Sequence, residues 1–228
     1  MNSALMPALL LLALGPMEGE ATARTSADTA IAVGRLQYGG GGDWYANPSS
    51  IPNLLTAIRE GTGIPTAQRE ESVSPLDPRL PDFPFVHMTG HGEVRFTPSE
   101  REALRQYLLG GGFLHVDDNY GLDPAIRREL SLLFPDAELV ELPPDHPIFH
   151  MKYRFPEGLP KIHEHDGGPP QAFGLFQGGR LVLVYTHEAD LGNGWENPDV
   201  HGTSPELHEA ALRMGVNLFV FALTQGVP

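Results

Sequence analysis

Two adjacent carboxylates follow a short apolar run near the middle of the chain. The run Phe113-Leu114-His115-Val116 leads into Asp117-Asp118-Asn119-Tyr120, with glycines on both sides. Four mostly apolar residues in this setting are typical of a buried strand. An ionised carboxylate is costly to desolvate, so a buried pair needs a cation, a shared proton or several hydrogen-bond donors. The pattern therefore indicates a polar ligand or a divalent cation, with bonding to loop amides as the alternative.

Three further loops of similar composition follow predicted strands. They span residues 39–45, 87–92 and 187–195, and all of them are rich in glycine together with histidine, aspartate or aromatic residues. Ligands of open α/β sheets bind beyond the carboxyl ends of the strands, so we expect the loops to line one pocket. The candidate ligand-binding residues are Asp117, Asp118, Asn119, Tyr120, His91, His87, Asp43, Trp44, His187 and Asp190. We expect Trp44, Tyr45 and Trp195 to offer an aromatic wall for a sugar ring.

A second motif suggests metal binding. In His163-Glu164-His165-Asp166 the two histidines are two positions apart, so on an extended strand they point the same way and both can ligate a metal. The candidate metal ligands are His163, His165 and Asp166, and a divalent metal ion is the one cofactor indicated. The alternative is a polar loop whose histidines bond to backbone carbonyls.

Catalytic chemistry is open on the sequence alone, and no catalytic residue is assigned. A hydrolase would use a carboxylate and a histidine for acid–base work, with His91 or His187 as the base and the aspartate pair as ligands of a metal-activated water. A serine hydrolase is disfavoured because there is no G-x-S-x-G motif, and a cysteine nucleophile is excluded because the chain has 0 cysteines. We expect His115 to be buried and hydrogen-bonded, and Asp123 to be a helix N-cap.

Strand and helix patterns alternate along the chain. Strands are predicted at 31–38, 83–88, 113–116, 138–142, 172–176 and 180–186, with a short one at 72–73. Helices are predicted from 47 to 61 or 63, from the capping box at 97–100 to the glycines at 110, from 123 to 134, and from 204 onward. The hairpin at 172–186 adds an antiparallel extension to a mainly parallel sheet. The pattern predicts a single three-layer α/β domain.

Length, charge and the N-terminal segment limit the function. The 228 residues carry a formal charge of -14 without a Lys/Arg cluster, which argues against nucleic acid as a partner. The apolar run Ala4 to Leu14 and the small residues that end at Ala23 predict a signal peptide over 1–23, although no Lys or Arg precedes the run. We expect residues 24–228 to form the domain, periplasmic or secreted and without a membrane span. Partner proteins are not indicated.

Several segments together resemble one bacterial family. They are Arg35 to Gly40, His87 to Gly92, Gly111 to Gly121, Asp145 to Phe149 and Asn217 to Phe219. The family is Domain of Unknown Function 4159, and the resemblance covers about Ala30 to Gln225. No reaction is assigned to it, so the resemblance implies a fold more than a function.

That family looks related to the class I glutamine-amidotransferase-like superfamily, which implies a flavodoxin-like sheet. In glutamine amidotransferases a nucleophilic cysteine stands on the turn after a central strand, and the matching turn here is His115 to Asn119. Aspartate takes the place of the thiol, which excludes the thioester that glutamine hydrolysis requires. The resemblance thus favours a binding domain. A hydrolase, or a cell-envelope interaction module with a vestigial pocket, is the alternative.

Overall fold

The computed structural model describes residues 30–225, which form a seven-stranded sheet with helices on both faces. The predicted signal peptide lies outside these residues. The strands are β1 Val33–Leu36, β2 Glu71–Val73, β3 Phe85–Gly90, β4 Phe113–Asp118, β5 Val140–Glu141, β6 Gln171–Gln177 and β7 Arg180–His187. The helices are α1 Ser50–Thr62, α2 Pro98–Leu109, α3 Asp123–Leu133, α4 Leu191–Trp195, α5 Pro198–His201 and α6 Pro205–Thr224. Short 3₁₀ turns occupy Leu80–Asp82 and Pro147–His150.

The sheet has the strand order β2-β1-β3-β4-β7-β6-β5. The first five of these strands are parallel, while β6 is antiparallel to β7 and β5 to β6. The parallel part has the 2-1-3-4-5 order of flavodoxin-like folds. Every residue of β3 and β4 is buried, as parallel strands covered on both faces require. The predicted three-layer, flavodoxin-like α/β fold with an antiparallel extension is confirmed.

Two sets of helices cover the sheet. On one side α1, α4 and α6 pack against one another, and we call this side the α6 face. On the other side α2 packs against α3, and we call it the α3 face. The α6 face buries Leu54, Trp195 and Phe219, and the α3 face buries Leu104 and Ile126. Because β1, β3, β4 and β7 are parallel neighbours, the four predicted loops all leave the sheet at its carboxyl-end edge.

Local signals account for most element boundaries. Thr97 and Glu100 form the predicted capping box at the start of α2. Ser204 caps α6, its side chain accepting from the N–H of Leu207 at 3.3 Å. Gly178 and Gly179 connect β6 to β7 with φ of 57° and 81°, the left-handed conformation that a two-residue hairpin turn needs. The hairpin prediction is confirmed.

Three predictions of local structure need correction. Strand β5 has two residues where 138–142 was predicted, and both are exposed. The short strand predicted at 72–73, by contrast, is confirmed as β2, which pairs with β1 at one edge of the sheet. The stretch 187–196 is not only a loop, because it contains helix α4 and is largely buried. The N-cap position of α3 is Leu122; Asp123 lies inside the helix and accepts from Arg127 at 2.6 Å.

Within residues 30–225, no helix is both long enough and apolar enough to cross a membrane.

Candidate functional site

Asp117 and Asp118 point to opposite faces of the sheet, because successive side chains of a strand alternate. Asp117 contacts the start of α4 on the α6 face, and Asp118 contacts the start of α3 on the α3 face. Both are buried, with exposed fractions of 0% and 4%. The two carboxylates therefore have separate sets of partners.

Three donors hold the Asp117 carboxylate. The Thr186 hydroxyl lies 2.5 Å from Oδ1, and the N–H of Leu191 lies 3.3 Å from the same oxygen. The N–H of Gly192 donates to Oδ2 at 2.7 Å. Burial, with a contribution from the nearby Asp190 carboxylate, raises the pKa of Asp117 to about 7. Asp117 is thus close to the midpoint of its titration near neutral pH.

Helix α4 depends on a glycine at its second position. A Cβ on Gly192 would lie 2.8 Å from the Asn47 side-chain nitrogen and 3.1 Å from Asp117 Oδ2. The backbone can approach the carboxylate closely only because no side chain intervenes.

A buried chain of hydrogen bonds extends from Thr186 into the α6 face. Thr186 Oγ1 lies 3.1 Å from His115 Nε2, and His115 Nδ1 lies 3.1 Å from His87 Nδ1. Burial lowers the pKa of His115 to about 3 and that of His87 well below its ordinary value, so both rings are neutral. His87 Nε2 finds no hydrogen-bond partner among the described residues. His115 is buried and bonded as predicted, and His87 lies in the core.

Asp118 organises the turn into α3. Its Oδ1 accepts from the N–H groups of Tyr120 at 3.0 Å and Leu122 at 2.9 Å. Its Oδ2 lies 3.5 Å from the Tyr185 hydroxyl and 3.8 Å from His187 Nε2. The first oxygen therefore bonds to loop amides, which is the alternative to ligand binding that the sequence allowed. Only the second oxygen faces other side chains.

A second carboxylate centre lies just after β7. Asp190 is 0% exposed, and its φ of 61° is unusual for a residue other than glycine. Its Oδ2 lies 2.7 Å from His163 Nδ1, 2.7 Å from Asn193 Nδ2 and 3.3 Å from His165 Nε2. Its Oδ1 has no partner within residues 30–225. We call Asp190, Asn193, His163, His165 and Thr203 the Asp190 cluster.

His163 joins this carboxylate to a hydroxyl. Its Nε2 lies 3.1 Å from Thr203 Oγ1, while the hydrogen bond to Asp190 raises the pKa of the imidazole. A second pair stands beside it: His201 Nε2 lies 2.8 Å from Glu196 Oε2, and the His163 and His201 rings are 5.8 Å apart. Each imidazole is thus oriented by a buried carboxylate, an arrangement suited to acid–base chemistry and to binding polar groups.

The segment before β6 is tied to the loop after β7. The N–H of Ile162 donates to the Ala189 carbonyl at 2.9 Å. Glu188 accepts from Lys161 Nζ at 3.0 Å and from the N–H of Asp166 at 3.1 Å. Glu188 is buried with a φ of 57°, so these bonds hold a strained conformation in place.

The structure provides only part of the geometry that the predicted metal site needs. His163 and His165 converge as predicted, but on the Asp190 carboxylate. Asp166 points elsewhere, with Oδ1 3.3 Å from the Tyr120 hydroxyl. Nowhere in the described part of the chain do three or more His, Cys, Asp or Glu side chains form a group that could hold a metal ion.

Other predicted residues form the rim of the carboxyl-end edge. Asp43 accepts from the His91 N–H at 2.5 Å and lies 3.0 Å from His91 Nδ1, and both side chains are substantially exposed. The Trp44 and Tyr45 rings meet edge to face at 5.6 Å. Trp195 was expected in the same aromatic wall, but it is 0% exposed and packs in the core of the α6 face.

The two residues after Asp118 also differ in role. Asn119 is buried, and its amide lies 3.4 Å from the Asn47 amide in both directions. Tyr120 is 50% exposed, and its ring lies 5.0 Å from that of His165. The φ of Tyr120 is 127°, a strained value for a residue with a side chain. Tyr120 therefore connects the end of β4 to the Asp190 cluster.

Comparison with known proteins identifies the family. The family model described as Domain of unknown function (DUF4159) matches residues 32–223. The chain belongs to this family. No curated protein matches it. In this DUF4159 member, the match covers every strand and nearly all of α6, so the Asp190 cluster lies wholly within it.

Sequence reasoning identified three of the five residues of the Asp190 cluster. His163, His165 and Asp190 were candidates, although they were assigned to two different sites. Asn193 and Thr203 were missed, as were the neighbouring Glu196 and His201. Two sequence signals could have pointed to this region. They are the polar, glycine-bearing stretch 187–196 and the Ser204 helix cap that follows Thr203.

Proposed function

We propose that this domain binds a small polar, carbohydrate-like ligand at the carboxyl-end edge, with the Asp190 cluster as the centre of the site. One observation carries the proposal. Three histidines held by buried carboxylates, His163 and His165 on Asp190 and His201 on Glu196, keep 24%, 12% and 31% of their side chains exposed. His165 and His201 each have one ring nitrogen held by a carboxylate, which orients the other nitrogen for a bond to a ligand hydroxyl.

Tyr120 supports a ring-shaped ligand. Its side chain is half exposed beside His165, and its strained backbone is held by the Asp118 carboxylate. Strain at an exposed aromatic is retained where the surroundings impose it, which is common at ligand sites. An aromatic face beside fixed polar groups suits a sugar ring, because the ring stacks while its hydroxyls bond.

Isothermal titration with glucose, sucrose and myo-inositol tests the proposal. Binding to the wild type that weakens at least about tenfold in His163→Gln and Asp190→Asn supports it. His150→Gln is a matched control, because His150 bonds to the Pro144 carbonyl outside the cluster. Titration with Zn²⁺ and Mg²⁺ examines a divalent cation as the ligand. No heat with any of these probes, from protein with an intact thermal transition, would contradict the proposal.

Acid–base hydrolysis is the second candidate function. The 2.7 Å contact of His163 with Asp190 favours it, because a carboxylate that orients an imidazole is the common arrangement of a general base. The base would be His163 in place of His91 or His187. His91 has a similar contact with Asp43 at 3.0 Å, but that pair is far more exposed to water than His163 and Asp190, and His187 Nε2 is no closer than 3.8 Å to Asp118.

We also propose that the chain is related to a known superfamily and that it is exported from the cytoplasm. The 2-1-3-4-5 strand order supports a relation to the class I glutamine-amidotransferase-like superfamily, and the 0 cysteines support a role other than glutamine hydrolysis. The apolar run that ends near Leu14 and the small residues up to Ala23 support export to the periplasm or medium. Sequencing the N-terminus of protein from cell fractions tests export, and an unprocessed cytoplasmic chain would contradict it.

A further inference from the structure

Asp190, His163 and Thr203 form a carboxylate–imidazole–hydroxyl chain. Asp190 Oδ2 lies 2.7 Å from His163 Nδ1, and His163 Nε2 lies 3.1 Å from Thr203 Oγ1. Both distances fall within the reach of a nucleophile, its base and the group that orients the base. The three residues come from separate segments, so the arrangement is tertiary and not a feature of one turn.

The contact with Asp190 determines which nitrogen of His163 can act as a base. A carboxylate accepts, so Nδ1 of the neutral ring carries the proton and donates it to Asp190. Nε2 then presents its lone pair to Thr203, and the Thr203 hydroxyl donates to it. This is the polarity that removal of a proton from the hydroxyl requires.

Thr203 stands at a turn that leads directly into a long helix. Gly202 before it has a φ of 67°, and Ser204 after it caps the 20-residue helix α6. The Thr203 N–H donates to the Pro198 carbonyl, which closes the turn. The N-terminal end of a helix carries partial positive charge, which stabilises negative charge that develops on a neighbouring oxygen.

A second hydroxyl–imidazole contact in the molecule is a useful contrast. Thr186 lies 3.1 Å from His115 Nε2, but both residues are 0% exposed. Thr203 is itself buried, at 5% exposed, but the His163 side chain is 24% exposed, so this pair reaches solvent through the imidazole. Of the two pairs, only the one that contains His163 is in contact with solvent, where a substrate can approach.

We propose that Thr203 is the nucleophile of an ester-hydrolysing site, with His163 as its base and Asp190 as the residue that orients the base. The substrate class is a short acyl ester of a polar, carbohydrate-like alcohol. This rests on the proposed function, because the alcohol part occupies the polar-ligand site beside Tyr120.

The reaction has two steps, with water as the co-reactant. Thr203 Oγ forms a bond to the acyl carbon as its proton moves to His163 Nε2. The bond from the acyl carbon to the alcohol oxygen then breaks, and His163 returns the proton to that oxygen. Water next attacks the acyl-threonine and gives a proton to Nε2. The Oγ–acyl bond breaks, the free acid leaves, and Thr203 regains its proton.

Covalent labelling tests the nucleophile directly. Wild-type protein is treated with a fluorophosphonate, whose adduct does not turn over, and the labelled peptide is identified by mass spectrometry. Hydrolysis of p-nitrophenyl acetate is measured in parallel. We expect the label on Thr203. We also expect both labelling and hydrolysis to fall about 100-fold in Thr203→Val and His163→Gln.

Two further variants complete the experiment. Thr203→Ser keeps the nucleophile and should retain labelling and hydrolysis. Thr56→Val removes a hydroxyl that bonds only within its own helix region, at Pro52 and Arg59, and should match the wild type. A label absent from Thr203, or undiminished hydrolysis by Thr203→Val, overturns the proposal. If Thr203→Val does not fold, the labelled position in the wild type and the rates of His163→Gln decide.

Saccharide titration of the same variants separates the two proposals. Glucose, sucrose or myo-inositol binding by wild type and Thr203→Val, without a label on Thr203, overturns the nucleophile and leaves the binding function standing. Loss of binding by every folded protein, together with no labelling, overturns both.

Discussion

Asp117 and Asp118 are neighbours in the chain, yet they lie in different environments. Asp117 is completely buried against the start of α4, where a hydroxyl and two backbone N–H groups hold it. Asp118 holds two loop N–H groups at the start of α3, and its second oxygen faces Tyr185 and His187. The pleat of β4 separates them, so two adjacent carboxylates serve two faces of one sheet.

The difference shows why charge at the end of a strand does not identify a site by itself. Asp117 acts on the α6 face, beside the Asp190 cluster, and Asp118 shapes the turn that presents Tyr120. Neither carboxylate is the centre of the site that we propose. Its centre is Asp190, which follows the next parallel strand, β7, at the same edge of the sheet. Four predictions sharpen this comparison.

The largest effect is expected from removing each carboxylate in turn. Asp117→Ala leaves the Leu191 and Gly192 N–H groups without an acceptor in the core and removes the shorter of two acceptors of the Thr186 hydroxyl, so it should lower the free energy of unfolding by about 3 kcal/mol or more. Asp118→Ala frees two N–H groups of a turn and should cost about 1 to 2 kcal/mol. Urea unfolding at pH 6 measures both, and equal losses would contradict the distinction between the faces.

The pH dependence of stability should reveal Asp117. Its folded pKa of about 7 lies above the ordinary value of 3.8, so folding takes up a proton between these two pH values. The stability contribution of Asp117 is therefore greatest at low pH and falls as the pH rises towards 7. From pH 5 to pH 7, the wild type should lose about 2 to 3 kcal/mol relative to Asp117→Asn. Urea unfolding of both proteins across this range measures the loss, and a constant difference would contradict it.

Substitution of Tyr120 should have a smaller effect on stability, with glycine and alanine in the reverse of their usual order. Glycine adopts a φ of 127° without the strain that a Cβ brings, so Tyr120→Gly should be more stable than Tyr120→Ala by about 1 kcal/mol. At an ordinary position alanine is the more stable of the two. Thermal unfolding of both variants measures the difference, with Tyr120→Phe as the control that removes only the hydroxyl. A more stable alanine variant would show that the turn relaxes.

The smallest effect is expected at the rim. Asp43 and His91 are 34% and 49% exposed in their side chains, and water screens an exposed pair. Asp43→Asn should therefore cost less than about 1 kcal/mol in urea unfolding. A loss as large as that of Asp117→Ala would mean that the rim pair is as important to the fold as the buried carboxylate.

The fold was largely predictable because its signals are local. The Thr97 capping box, the Gly178-Gly179 turn and the apolar stripe of α6 each depend on residues near one another in the chain. The wrong predictions of local structure fall where the local sequence pattern conflicts with contacts made in the folded chain. Asp123 has the composition of an N-cap, but Arg127 and Tyr185 supply stronger partners for its carboxylate. The stretch 187–196 resembles an exposed loop in composition, although its backbone folds into α4 under α6.

For the candidate site, the sequence could predict only a position at the edge of the sheet. His163 lies 27 residues from Asp190 and 40 from Thr203, and no periodicity relates positions in three separate segments. Histidine spacing placed His163 and His165 together correctly. It could not show that the space between them is taken by a carboxylate from the loop after β7.

The two edge strands of the sheet have a consequence for the protein at high concentration. Strand β2 has three residues and β5 has two, and each carries an exposed glutamate, Glu71 or Glu141. A second copy that approaches either edge finds only a few free N–H and C=O groups and a negative charge. Pairing of the sheet with a second chain is thereby discouraged at both edges. The fully buried strands β3 and β4 lie in the interior of the sheet, where they cannot pair with another chain.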